Sequence, residues 1–137
     1  MNTQHLPAAQ ARKRRGFSMV EMIACVSIIG IVAFLAIPSV TRMRGDSERN
    51  LAISRAEALN LAQATYIQVK GRTQAATEWN NNAAAESKYT LLKPYLAYAE
   101  TSLALFLPEG YSITFPADIA KMTKTALKDP NNAVIYY

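Results

Sequence analysis

Residues 17–40, FSMVEMIACVSIIGIVAFLAIPSV, are 24 residues with one charge, Glu21, and they constrain the chain more than any other stretch. At about 1.5 Å rise per residue a helix of that length reaches roughly 36 Å, enough to cross a hydrocarbon core of about 30 Å. The flanks are asymmetric. Arg12, Lys13, Arg14 and Arg15 precede the run, Gly16 separates them from it, and Arg42 and Arg44 follow. Four cations before and two after predict an N-terminus in the cytoplasm and a domain outside. Glu21 is the anomaly, because an ionised carboxylate at the centre of a span costs about 2.5–3.5 kcal/mol on insertion scales. A charge kept at that cost implies a partner for it.

Composition narrows the function. The net charge is +5, but the four leader cations supply most of it, and residues 17–137 carry 11 Lys and Arg against 10 Asp and Glu. The basic character therefore speaks for membrane topology, and no specific nucleic acid is predicted as a partner. Cys25 is the one cysteine and lies in the apolar run, so no disulfide forms within the chain. His5 is the one histidine and precedes Gly16. A chain cut after Gly16 has neither a histidine-dependent triad nor a histidine-ligated metal. No glycine-rich phosphate loop, paired-cysteine motif or metal-ligand cluster is present, so no cofactor, metal or enzymatic activity is predicted.

The N-terminal residues resemble a known family, the type IV prepilins and the pseudopilins of type II secretion. The shared pattern is a short basic leader ending in glycine, an aromatic first mature residue, and glutamate four residues on, here Gly16, Phe17 and Glu21. It continues through IIGI, with Gly30 fourteen residues after Gly16, and AIP, with Pro38 twenty-two after it. The resemblance implies cleavage after Gly16 by a prepilin peptidase and N-methylation of Phe17. It also implies pairing of Glu21 with the N-terminal amine of a neighbouring subunit, and a segment between Gly30 and Pro38 that kinks or loses helicity on packing. The implied partners are the peptidase, copies of the chain or other pilins, and an inner-membrane assembly platform. The implied location is the bacterial inner membrane, single-pass with the head outside, and then a surface or periplasmic filament. The 121 residues from Phe17 and the lack of a head disulfide lean toward a pseudopilin-like or minor subunit.

The remaining sequence predicts an α+β, pilin-like fold. Residues 1–16 read as a removable leader, 17–40 as a transmembrane and assembly helix, 41–82 as its amphipathic continuation, and 83–137 as a small head. Asp46 or Ser47 is placed to cap a renewed helix, but one long bent helix is favoured. Ala52, Ala56, Leu59, Ala62, Tyr66, Val69, Thr73, Ala76 and Trp79 or Asn80 recur at spacings of three and four, an amphipathic stripe. Gly71 interrupts it at a cost of about 1 kcal/mol, too little to end a long helix. Asn80, Asn81 and Asn82 are the first stop. A second helical pattern covers 83–100, ended, kinked or restarted at Pro94, with Lys93 pushed toward an extended conformation. Tyr89, Tyr95 and Tyr98 read as amphipathic tyrosines at the rim of a small core. Tyr111, Ile113 and Phe115 alternate as a strand, and KMTKTALK, DPNN and AVIYY read as a hairpin, giving a three-stranded meander on the stem helix. Asp129, Asn131 and Asn132 are oxygen ligands near one another, but calcium wants six to eight, and the run reads as a turn.

An alternative uses residues 12–40 as the signal or anchor of an exported binding protein. Arg14, Arg15 and Phe17 in RRGF resemble the core of a twin-arginine signal. The run exceeds an h-region of about 7–15 residues, and Ala33 and Ala36 do not make an A-x-A site.

Overall fold

The computed structural model of the chain describes residues 16–137; of the leader expected at 1–16, all but Gly16 lies outside the described residues. They fall into two units, one ending at Val40 and one of Thr41–Tyr137. Helix α1 (Met19–Lys70) runs through Gly30, Pro38 and Gly45, so neither Asp46 nor Ser47 begins a new helix. In the first unit every residue from 16 to 40 is exposed.

In the second unit α1 buries Ala52, Ala56, Leu59, Ala62 and Tyr66, as the three-and-four spacing predicts. The stripe then changes face. Val69 and Thr73 are exposed, whereas Ala75 and Trp79 are buried. Val69 still belongs to the last turn of α1, so its exposure is a matter of that helix's own phase; the change beyond it follows from Gly71, at φ 83° and ψ 149°, a region essentially reserved for glycine. The helix expected to run unbroken past Gly71 stops at Lys70, and α2 (Arg72–Asn81) begins at once. Backbone pairing is kept across the break. Gly71 N–H donates to Ile67 O and Gly71 O accepts from Ala75 N–H, both at 2.9 Å. The helix propensity of glycine does not stop the helix; its left-handed φ lets the chain re-aim its apolar face without losing hydrogen bonds. The α2 helix ends within the asparagine run, as expected.

Trp79 anchors α2. It is fully buried, donates from Nε1 to Pro116 O at 2.9 Å, and meets Phe115 edge-on with ring centroids 5.6 Å apart. The Lys88 ammonium lies 4.9 Å from its ring centroid. Helix α3 (Ala85–Leu92) passes directly into a 3₁₀ turn, Lys93–Tyr95. Lys93, expected to be extended before Pro94, is helical at φ −47° and ψ −44°. Pro94 occupies the first turn of the 3₁₀ segment, where a missing N–H costs nothing, so the chain bends without unwinding at Lys93. Tyr89 is buried and exchanges two hydrogen bonds with the Glu100 backbone, Tyr95 is half-buried, and Tyr98 is exposed. A short helix α4 (Leu103–Phe106) follows, its N-cap Ser102 accepting from Leu105 N–H.

The C-terminal third is the expected antiparallel meander, β1 (Ser112–Thr114), β2 (Ala126–Lys128) and β3 (Val134–Ile135), in that order. Ile113 pairs with Leu127 and Leu127 with Ile135, and all three are buried, so one row of side chains crosses the sheet on its core face. The β2–β3 turn is closed by Asn132 N–H to Asp129 O at 2.9 Å, with Asn132 at φ 63°. Asp129 Oδ1 accepts from Asn131 N–H at 2.9 Å and Ala133 N–H at 2.8 Å, so this carboxylate organises the turn itself. The sheet and the stripe of α1 belong to one core cluster with Trp79, Tyr89 and Phe106. The architecture is α+β and pilin-like: a long N-terminal helix with an apolar stretch, short helices and a small antiparallel sheet.

Candidate functional site

Gly16 and Phe17 precede the first helical residue, Met19, and both are exposed. A peptide bond there is not withheld by a helix ladder. Ser18 and Glu21 form a reciprocal pair: Ser18 N–H donates to Glu21 Oε2 at 2.7 Å, and Glu21 N–H donates to Ser18 Oγ at 3.2 Å. This is a capping box, in which two otherwise orphaned amides of a helix start are satisfied by side chains three residues apart. Ser-x-x-Glu ahead of an apolar run is a legible helix-start signal, and the charge-based reading of Glu21 passed over it. One carboxylate oxygen is thereby engaged; Oε1 makes no hydrogen bond among the described residues. The negative charge also faces the positive end of the α1 dipole.

Farther along, Gly30 sits on an open face, since a Cβ built there meets nothing within 4 Å. Packing within the single chain therefore places no demand on that glycine. Pro38 offers no N–H, so the Phe34 carbonyl loses its usual partner four residues on. The two weak points lie eight residues apart on the most apolar part of α1, where Val32 and Leu35 are exposed by 59% and 67%. Just beyond, Arg44 Nε and Glu48 Oε1 form an exposed ion pair at 3.1 Å. The structure thus brings Glu21 together with Ser18, not with any cation among the described residues. It leaves Gly30 and Pro38 as separate positions on one exposed helix. No group of three or more His, Cys, Asp or Glu that could hold a metal occurs among the described residues.

Comparison with known proteins bears on this same end of the chain. Residues 11–37 match the prokaryotic N-terminal methylation motif, a span that includes Gly16, Phe17, Glu21 and Gly30 and ends one residue before Pro38. The chain is 35% identical over 60 residues to the type IV major pilin protein PilA of Myxococcus xanthus (strain DK1622), covering 44% of this chain and 27% of that pilin. The match thus spans about a quarter of the relative's length. No solved structure matches the chain. The chain thus carries an N-terminal methylation motif and is similar, over part of its length, to a type IV major pilin.

Proposed function

We propose that the protein is a structural subunit of a type IV pilus-like or type II secretion pseudopilus filament, cleaved after Gly16 by a prepilin peptidase and N-methylated on Phe17. The carrying observation is an apolar helix start, exposed throughout residues 16–40 and headed by Glu21. Burying that surface requires lipid before assembly and other helices after it, and a carboxylate carried into either setting needs a cation. The methylated amine of a neighbouring Phe17 supplies one, and the penalty for any other register sets the axial stagger of the subunits. Ser18 holds the carboxylate at the helix start, so the charge is presented at the end of the subunit. The segment from Gly30 to Pro38 is where helicity is least costly to lose when subunits pack. The charge asymmetry across the span supports a single pass with the head outside, delivered to the filament by an inner-membrane assembly platform. The protein acts by assembling, not by catalysis.

Mass spectrometry of the N-terminus of the purified protein tests this. A chain beginning at methylated Phe17 is expected. A start after residue 36 indicates an exported binding protein, and an intact Met1 indicates a signal anchor; either overturns the filament reading.

A further inference from the structure

On the flank of α1, Asn60 and Gln63 are treated differently. Both polar atoms of Asn60 are bonded: Oδ1 accepts from Thr125 N–H at 2.9 Å and Thr125 Oγ1 at 3.1 Å, and Nδ2 donates to Tyr137 OH at 3.3 Å. Gln63, one turn on and only 5% exposed, keeps its Nε2 amide without a hydrogen-bond partner among the described residues. A buried donor left unpaired carries its full desolvation cost, which native structures seldom leave unanswered. Gln63 lines a notch of about 50 Å³ between α1 and the segment from Met122 to Lys124. The lining includes one cation, Lys124, and no anion. Met122, at φ 51° and 58% exposed, is also part of the lining.

We propose that this notch receives the carboxylate of an Asp or Glu side chain from a second copy of the chain, an inference that rests on the filament reading. A space of that size suits one carboxylate head, and an unpaired amide donor in a lining whose one charged residue is a lysine is complementary to negative charge. The Lys124 ammonium donates to Tyr137 O at 2.7 Å and lies 5.1 Å from the Tyr137 ring centroid, so Tyr137 holds the side chain in place. The lining offers the unpaired Gln63 donor but no carboxylate of its own. Asp46, Glu57 and Glu109 are exposed carboxylates that make no hydrogen bond or ion pair among the described residues, and they are the candidates on the neighbouring copy.

The test compares full-length wild type with Gln63→Met, which keeps the side-chain length and removes the donor. Removing an unpaired buried amide leaves the unfolding midpoint of the detergent-solubilised chain unchanged or raised, while filament yield in cells falls about ten-fold, the loss of one charge-assisted contact. Gln63→Met filaments at wild-type yield overturn the notch and leave the filament reading standing; absence of wild-type filaments overturns both. Should the variant unfold early, photo-crosslinking decides with p-benzoylphenylalanine in place of Met122. An adduct between two copies that maps to a peptide containing Asp46, Glu57 or Glu109 supports the docking, and filaments without such an adduct overturn it.

Discussion

Glu21 has one role in the structure and a second, separable one in the proposed filament. As an acceptor it closes the capping box with Ser18, a local interaction worth about 0.5–2 kcal/mol to a helix start. As a charge it is the group that demands a cation once lipid or other helices surround it. Glu21→Gln keeps an oxygen for Ser18 N–H and loses the charge, whereas Glu21→Ala loses both. Both variants are expected to insert into the membrane at least as well as wild type and to fail equally in filament incorporation, scored by sheared-filament yield against total membrane protein. A Gln variant that assembles normally would assign Glu21 to capping alone. The residue also marks a limit of reading by charge: the expense of a carboxylate in lipid drew attention to an intermolecular partner, while the serine three positions before it held a partner already.

At the scale of elements, much of the head was legible, because period and turn chemistry are local. The alternation of Tyr111, Ile113 and Phe115 and the Asp129-Pro130 turn predicted a meander that the backbone forms, with strands only two or three residues long. What was not legible is how one helix hands its apolar face to the next. The stripe from Ala52 to Tyr66 is correct and already leaves the core face at Val69; its continuation to Thr73 fails because Gly71 changes direction by conformation and not by propensity. Gly71→Ala should therefore cost about 1–3 kcal/mol, lowering the unfolding midpoint by roughly 4 °C or more, although no neighbouring atom is crowded. The α1–α2 corner is tied by a second device. Tyr66 OH donates to Glu78 Oε2, and Gln74 Nε2 and Lys70 Nζ donate to Oε1 at 3.0 and 3.3 Å. The Tyr66 hydrogen bond foremost, then Gln74 and Lys70, hold the Glu78 carboxyl below its usual range, while burial and then Glu78 push the Tyr66 phenol up. A carboxyl lowered in the fold stabilises above its unfolded value, about 4.3, and that contribution disappears as pH falls through the folded value. The unfolding midpoint should fall on acidification from pH 6 toward pH 3, and Glu78→Gln should flatten that slope while lowering the midpoint at pH 7. The raised phenol has the opposite dependence: its contribution is intact below about pH 10 and is lost above it.

For the whole molecule, the two units make unlike demands on their surroundings. Every residue of the core cluster lies between Ala52 and Ile135, so the unit Thr41–Tyr137 contains its own interior. Residues 16–40 contribute nothing to that interior and expose Phe17 by 83%, Phe34 by 79% and Leu35 by 67%. Such a contiguous apolar surface is far larger than a monomeric protein keeps in water. Solubility and stability should therefore separate cleanly at Val40. A chain of residues 41–137 is expected to be soluble without detergent and to unfold cooperatively, with a midpoint within about 3 °C of the full chain in mild detergent, since groups with no shared contacts contribute additively. Circular dichroism during thermal unfolding measures both. Starting instead at residue 72 removes Leu59 and Tyr66, both essentially fully buried, from the core cluster that also holds Leu127 and Ile135. A three-stranded sheet with strands this short has too little apolar surface of its own to stay folded. That shorter chain should show no cooperative transition, which locates the division of labour inside α1: its first half needs a partner, and its second half is the wall of the head.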